Sequence, residues 1–164
     1  MRFTLIDRIL TLEPGRSITA IKNVSLAEEY LADHFPGFPV LPGVLMIEAL
    51  VQASAWLLRQ SDDFAYSTIL LKQTKAAKFV NFVAPGQTLT VTCELQESGG
   101  RECTLKGAGT VDGKPCVSAK LTLERFNLAE HNPDMAANDQ FRIRKAKELF
   151  ADLWKPDATP SPGS

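Results

Sequence analysis

Two titratable side chains near the start of an apolar segment have the properties needed for proton transfer. Glu48 lies within residues 44–58, the most apolar stretch of the chain, where a carboxyl group is rarely found without a partner. Burial away from cations raises the pKa of a carboxyl group, so a buried Glu48 could act as a general acid. A structural Glu at a subunit interface, or one bonded to a loop backbone, would show the same pattern.

His34 is the second candidate, and it precedes a loop rich in Pro and Gly over residues 35–42. An imidazole with its ordinary pKa of about 6.5 can accept a proton at neutral pH. A lone His is more often a surface or core residue. His34 and Glu48 together therefore favour acid–base chemistry more strongly than either residue alone.

The start of the apolar segment could bind a carbonyl oxygen. The first N–H groups of a helix have no internal acceptor and carry partial positive charge. The N–H of Gly43 or Val44 could therefore stabilise an oxygen that gains negative charge during a reaction. Gln52 follows Glu48 by one helical turn and could orient its carboxyl group.

Hydrophobic periodicity predicts an α+β fold, with an antiparallel sheet of about five to six strands around one long buried helix. The long helix is predicted over 43–58, and a short helix over 26–31 follows from the capping-box spacing of Ser25 and Glu28. Strands are predicted over 2–12, 17–24, 67–80, 87–96, 102–111 and 115–126. A terminal helix is predicted over 138–154, with Asn138 or Asp139 as its cap. Its predicted apolar face consists of Phe141, Leu149, Phe150, Leu153 and Trp154.

Composition excludes several classes of protein. The 164 residues suit one domain, and 18 basic against 19 acidic residues give no electrostatic case for nucleic-acid binding. Three cysteines without a CxxC pair and only two histidines predict neither a disulfide framework nor a multi-His metal site. The N-terminus does not have the pattern of a signal peptide, so a cytoplasmic location is expected.

The segment 34–52, HFPGFPVLPGVLMIEALVQ, resembles the signature of the (3R)-hydroxyacyl-acyl carrier protein dehydratases of type II fatty-acid synthesis. Weaker similarity extends over about residues 3–126. The resemblance implies a hotdog fold over 1–126. The extension over 127–154 lies outside the resemblance, and residues 155–164 are predicted to be a disordered tail because they are rich in Pro, Ser and Gly. It also implies a homodimer at least, possibly a trimer of dimers, with the active site at the dimer interface.

The resemblance further implies a role for each candidate residue. His34 of one subunit would be the general base and Glu48 of the other the general acid. The Gly43 N–H, beside that of Val44, would bind the thioester carbonyl. The carbonyl of Val40 would orient His34, and Gln52 would support Glu48. No metal or cofactor is implied. The partner would be acyl carrier protein, to whose docking three lysines could contribute: Lys72, Lys75 and Lys78.

Two departures from the family pattern leave alternatives open. Asp33 stands where the family usually has Gly, and Gln87 stands where Asp is usual. An acidic Asp33 beside His34 would raise the pKa of the imidazole and weaken it as a base. The alternatives are a bifunctional dehydratase/isomerase, which usually has Asp at the position of Glu48, a polyketide or specialised-lipid dehydratase, and a non-catalytic hotdog that binds acyl thioesters.

Overall fold

The computed structural model describes residues 4–33, 35 and 37–156. In this part of the chain the strands are β1 (Arg8–Glu13), β2 (Ser17–Asn23), β3 (Thr68–Phe79), β4 (Thr88–Ser98), β5 (Glu102–Val111) and β6 (Lys114–Phe126). The helices are α1 (Tyr30–Asp33), α2 (Gly43–Ser61) and α3 (Ala136–Leu153). Two 3₁₀ turns, Leu128–Glu130 and Pro133–Met135, precede α3.

The strands form one antiparallel sheet in the order β1-β2-β4-β5-β6-β3. Inward and outward side chains alternate along β2, β4 and β5, so one face of the sheet is apolar. That face packs against α2, whose Leu50, Leu57 and Leu58 are fully buried. The predicted hotdog arrangement, a sheet around one long helix, is therefore confirmed.

Most predicted elements are found within a few residues of their expected bounds. α2 continues to Ser61. Of the first predicted strand, residues 4–7 are not in a strand, β1 begins at Arg8, and residues 2 and 3 lie outside the described residues. The predicted turn between the first two strands is present, with the Arg16 N–H donating to the Glu13 carbonyl at 3.0 Å. The three cysteines lie in strands and are buried and unpaired. Residues 157–164 of the predicted tail lie outside the described residues.

The predicted helix over 26–31 is wrong, because α1 is a single turn from Tyr30 to Asp33. The Glu28 carboxylate is not used as a helix cap. It binds the ammonium group of the buried Lys22 and accepts a hydrogen bond from the Tyr30 hydroxyl. A contact with a neighbouring strand thus replaces the expected local one, because an unpaired Lys22 would be costly in the core.

The predicted cap of the terminal helix is also wrong, since α3 begins at Ala136 and its N-cap residue is Met135. Asp139 lies inside the helix and is buried. Its carboxylate accepts hydrogen bonds from the N–H groups of Leu128 and Ala129, both at 2.9 Å, and from the Ser67 hydroxyl. It therefore fastens α3 to the 3₁₀ turn and to the residue that precedes β3.

The apolar face of α3 is only partly as predicted. Phe150 contacts the rings of Trp56 and Phe64, with centroid separations of 5.9 and 5.5 Å. Leu153 is buried and Trp154 packs against the core, both as predicted. Phe141 and Leu149 instead remain 46% and 36% exposed, because α3 turns Ile143 and Ala146 toward the core in their place. Within the described residues, no helix is long and apolar enough to span a membrane.

Candidate active site

The start of α2 has two backbone donors directed away from the helix. Pro42 precedes the helix, and its carbonyl accepts from the N–H groups of Leu45 and Met46 at 2.9 and 3.1 Å. Among the described residues, nothing accepts a hydrogen bond from the N–H of Gly43 or Val44. Both donors are therefore free to bind an oxygen atom of a ligand, in the positively polarised first turn of a 19-residue helix.

A cleft of about 400 Å³ lies beside Gly43. Its lining is mostly apolar and comprises Phe35, Val40, Leu41, Met46, Phe79, Val80, Asn81 and Phe82. A Cβ atom at Gly43 would lie 2.9 Å from Cε1 of Phe79, so the glycine allows the aromatic ring to approach the helix. The cleft thus combines an apolar surface with the free N–H of Gly43, as expected for binding an acyl thioester.

The segment around His34 leads into this cleft, although His34 itself and Pro36 lie outside the described residues. Phe35 has a positive φ of 50°, which is uncommon for a residue with a side chain and is concentrated at functional sites. The N–H of Phe38 donates to the Phe35 carbonyl at 2.8 Å. Further on, the N–H of Leu41 donates to the Val83 carbonyl at 2.7 Å, which fixes the end of the loop.

Val40 is buried and lies in the same cleft as Gly43. Its expected contact with His34 involves a residue outside the described ones, so this contact stays a prediction. Asp33 ends α1 and is exposed, one residue before His34.

The polar group around Glu28 fixes the other end of this segment. Lys22, Glu28 and Tyr30 join the end of β2 to the start of α1, and Tyr30 lies four residues before His34. Partial burial and the hydrogen bond to Glu28 raise the pKa of the Tyr30 hydroxyl, so it stays protonated and donates throughout the physiological range. A buried ion pair therefore anchors the element that precedes the candidate base.

Glu48 and Gln52 are brought together as the sequence predicted. The Gln52 amide donates from Nε2 to Oε1 of Glu48 at 3.1 Å. The carbonyl oxygen of the same amide accepts the Leu5 N–H at 2.8 Å. Because the Leu5 N–H donates to the amide oxygen of Gln52, the NH₂ group of the same side chain must face Glu48.

The sequence suggested a buried Glu48, and within a single chain its side chain is half-buried. α2 turns Met46, Ala49 and Leu50 toward the core, which leaves Glu48 on the side not covered by the sheet. There it opens into a second cleft, of about 270 Å³. The other lining residues are Thr4, Val51, Gln52, Ala55, Trp56, Arg59, Ile69 and Leu149.

The two clefts are separate within one chain. Gly43 lines the first cleft and Glu48 lines the second, and no described residue lines both. A single chain therefore does not bring the free N–H of Gly43 and the carboxyl group of Glu48 to one enclosed pocket in its described part.

The departure at Gln87 has a structural explanation. The Gln87 side-chain oxygen accepts the Ala84 N–H at 2.8 Å and closes the turn that leads into β4. A carboxylate oxygen could accept the same hydrogen bond, so glutamine keeps the acceptor that this turn uses. Gln87 lines neither cleft.

The predicted lysine cluster on β3 is not uniform. Lys72 forms an ion pair with Glu102 of β5, whereas Lys75 and Lys78 have no carboxylate partner among the described residues. Lys75 stands opposite Lys120, which in turn stands opposite Lys106 on β5. Pairing between strands therefore creates a row of positive charge that the linear spacing of the sequence did not show.

Comparison with known proteins assigns this arrangement to a family. The family model described as FabA-like domain matches residues 1–120, and the chain belongs to this family. The 3-hydroxyacyl-[acyl-carrier-protein] dehydratase FabZ of Levilactobacillus brevis is 43% identical over 116 residues, which cover 71% of this chain and 78% of that protein. The enzyme of the same name from Latilactobacillus sakei is 43% identical over 118 residues, or 72% of this chain and 84% of that protein.

The comparisons confirm the resemblance found in residues 34–52. A solved structure, the dehydratase heterocomplex ApeI:P from Xenorhabdus doucetiae, has the same fold with a TM-score of 0.65 and 19% sequence identity. The superposition covers 81% of this chain and 90% of the other. α3 lies beyond the residues that the family model matches.

Proposed function

We propose that this chain catalyses the dehydration of (3R)-3-hydroxyacyl-acyl carrier protein to trans-2-enoyl-acyl carrier protein in fatty-acid biosynthesis. The observation that carries this proposal is the family match, which includes the whole segment 34–52. Relatives with 43% identity that bear the dehydratase name support it. The enzyme is accordingly a hydro-lyase.

In the proposed reaction, His34 removes a proton from the carbon next to the thioester carbonyl. The electron pair moves toward the carbonyl oxygen, where the N–H groups of Gly43 and Val44 stabilise the negative charge. As the double bond forms, the carbon–oxygen bond to the 3-hydroxyl group breaks. Glu48 donates its proton to the departing oxygen, and water leaves.

Two residues complete the proposed site without reacting themselves. The carbonyl of Val40 orients the His34 ring. Gln52 holds the Glu48 carboxyl group in one orientation through its hydrogen bond of 3.1 Å. The apolar cleft beside Gly43 receives the part of the substrate next to the thioester.

We further propose that the active site forms between two subunits, with His34 and Gly43 from one and Glu48 from the other. The separation of the two clefts within one chain supports this. So does β3, an edge strand whose Leu70 and Leu71 are 52% and 40% exposed. The assembly is a homodimer, and a trimer of such dimers is its largest proposed form.

The remaining proposals concern partners, organisation and location. Acyl carrier protein presents the substrate, and Lys75 and Lys78, beside the paired Lys72, contribute to its docking. Residues 1–126 form the catalytic domain, 127–154 are an extension and 155–164 a tail. The proposed location is the cytoplasm.

The first test follows absorbance in the enoyl-thioester band with (3R)-3-hydroxyacyl thioesters of short, medium and long chains. Wild-type protein is expected to form the enoyl product. His34→Ala and Glu48→Gln should each lose at least about a hundredfold in kcat, the low end for general acid–base catalysis. An inert wild type that still binds acyl carrier protein would overturn the enzymatic proposal in favour of a non-catalytic binding module.

A mixing experiment tests the shared site. His34→Ala and Glu48→Gln proteins are each inactive alone, but a mixed dimer contains one site with both residues intact. After dissociation and statistical re-pairing, activity should recover to about a quarter of the wild-type value if the dimer is symmetric. No recovery, despite mixed dimers demonstrated by two different affinity tags, would place both residues in one chain.

A further inference from the structure

Three basic side chains converge on a cleft between α2 and α3. Arg59 comes from the end of α2, and Arg142 and Lys145 come from the first half of α3. The cleft has a volume of about 170 Å³. Ser67 lines the same cleft, but its hydroxyl group donates to Asp139. This arrangement depends on the extension, because α3 supplies two of the three positive charges.

The positive charges in this cleft are poorly compensated. The Arg59 guanidinium lies 4.8 Å from the centre of the Trp56 ring, and burial together with the charge of Arg142 lowers its pKa to about 10. Among the described residues, no carboxylate lies within ion-pair distance of Arg59 or Arg142. Arg59 is half-buried whereas Arg142 is exposed, so the cost of placing the two cations together falls mainly on Arg59, and a bound anion would reduce it.

The nearby carboxylates do not supply that anion. Glu148 pairs with Lys145 at 3.2 Å, but both side chains are about half exposed and such pairs contribute little. Asp139 interacts electrostatically with Arg142, yet its oxygens already accept hydrogen bonds from Leu128, Ala129 and Ser67. The cleft therefore has donors for an anion that the described part of the chain does not provide.

The basic cleft adjoins the cleft that contains Glu48. Trp56, Arg59 and Leu149 line both of them. Arg59 follows Glu48 by three helical turns, so both side chains lie on the same face of α2, about 16 Å apart along its axis. An elongated ligand with its reacting end at Glu48 could therefore reach the basic cleft with its other end.

We propose that Arg59, Arg142 and Lys145 bind the phosphate group of the phosphopantetheine arm that carries the thioester. This proposal rests on the proposed dehydratase function. Between the thioester sulfur and its carrier, the phosphate is the charged group of the arm. Two guanidinium groups and an ammonium group supply donors suited to phosphate oxygens. Coenzyme A thioesters have the same arm, whose phosphate there is part of a diphosphate, so we expect the site to accept both kinds of substrate.

The kinetic test compares a (3R)-3-hydroxyacyl-coenzyme A with the N-acetylcysteamine thioester of the same acid, which lacks the phosphate. The variant combines Arg142→Gln with Lys145→Gln and leaves Arg59 on the Trp56 ring. We compare the KM for the coenzyme A substrate, divided by the KM for the short thioester, between the double variant and the wild type. This ratio should be about tenfold higher in the double variant, the low end for lost charge-assisted hydrogen bonds. An unchanged ratio would overturn the proposal.

A matched control removes positive charge elsewhere on α3. Arg144 is exposed and does not line the basic cleft, although its guanidinium and the Lys145 ammonium both approach the Phe141 ring, at 5.5 and 5.6 Å from its centre. Arg144→Gln should leave the ratio of the two KM values at its wild-type level. If Arg144→Gln changes the ratio as much as the double variant does, the effect comes from the total charge of α3 and the proposed site is wrong.

Direct binding separates this proposal from the dehydratase proposal. Calorimetric titration of wild-type protein with 4′-phosphopantetheine, and with pantetheine as control, should show a preference for the phosphorylated compound that the double variant loses. Equal binding of both compounds would overturn the phosphate site. A clear preference in a protein that turns over no thioester would retain the site while rejecting the proposed function.

Binding of acyl carrier protein with and without its phosphopantetheine arm distinguishes contact with the arm from contact with the surface of the carrier. Affinity for the arm-bearing carrier should fall in the double variant, whereas affinity for the carrier without its arm should not change. An equal loss for both forms would show that the three basic residues contact the protein surface, and it would overturn their assignment to the phosphate.

Discussion

Gln52 donates a hydrogen bond to Glu48 across one turn of α2, with 3.1 Å between Nε2 and Oε1. Replacing Gln52 by Leu removes this donor and the acceptor of the Leu5 N–H. We expect kcat to fall about tenfold, since one hydrogen bond to a charged or acidic group is worth about 1.5–3 kcal/mol. Steady-state kinetics measure this change.

Gln52→Glu provides a sharper test of the same contact. It keeps an oxygen for the Leu5 N–H but places a second carboxyl group beside Glu48, so the loss of kcat should exceed that of Gln52→Leu. Gln60→Leu, later in α2, is the control and should retain wild-type kinetics. Equal activity of wild type and both Gln52 variants would show that this hydrogen bond does not support catalysis.

Gly43→Ala tests the close approach of Phe79 to the start of α2. The new Cβ atom would lie 2.9 Å from Cε1 of Phe79, so the half-exposed ring must move into the cleft. We expect kcat/KM to fall about tenfold, with the free energy of unfolding changed by less than about 1 kcal/mol because the ring can rotate away.

A second substitution checks the cause of that loss. Phe79→Leu in the Gly43→Ala background shortens the side chain and should recover part of kcat/KM. If the double variant is no more active than Gly43→Ala, the methyl group itself blocks the substrate, and displacement of Phe79 is not the reason.

Glu28→Gln should destabilise the fold by about 3 kcal/mol, the lower end for breaking a buried ion pair, because Glu28 is itself partly exposed. The substitution leaves the Lys22 ammonium group buried without an opposite charge. Urea denaturation measures the loss. Adding Lys22→Met should restore most of the stability, and a double variant less stable than Glu28→Gln would contradict this explanation.

Asp139 should make stability depend on pH in the acid range. Burial alone would raise the pKa of its carboxyl group, but hydrogen bonds from Ser67, Ala129 and Leu128 and the charge of Arg142 outweigh it and lower the pKa. A lowered pKa stabilises the fold above the unfolded value of about 3.9, and this contribution is lost as the pH falls through the folded value.

Asp139→Asn should therefore reduce the free energy of unfolding at pH 7, and its difference from wild type should shrink below about pH 4. Urea denaturation across this range measures both effects. Asp152→Asn, an exposed position near the end of α3, serves as the control. A difference between wild type and Asp139→Asn that stays constant with pH would contradict the proposed role of the carboxylate charge.

The sequence predicted the fold and part of the candidate site because their signals are local. The apolar run of α2 and the four-residue spacing of Glu48 and Gln52 follow from helix geometry alone. The prediction that Glu28 caps a helix was wrong because Lys22, on a neighbouring strand, binds the same carboxylate. A spacing pattern cannot show such competition between a local and a tertiary contact.

The basic cleft also has no local signal. Arg59 and Arg142 belong to different helices, and their proximity depends on how Phe150 packs against Trp56 and Phe64. The sequence predicted part of the apolar face of α3, but the predicted inward orientation of Leu149 was wrong. Because Leu149 faces outward, it lines the cleft that contains Glu48.

The edge strand β3 has a consequence for newly synthesised chains. Its first part exposes Leu70 and Leu71 and has a neighbouring strand, β6, on one side only, so this edge would be prone to aggregation until the second chain of the proposed dimer covers it. The rest of β3 carries lysines, and a bulge interrupts its pairing with β6 between Lys75 and Lys78. Both features oppose uncontrolled addition of further strands, so the lysines also act as gatekeepers that protect unassembled chains.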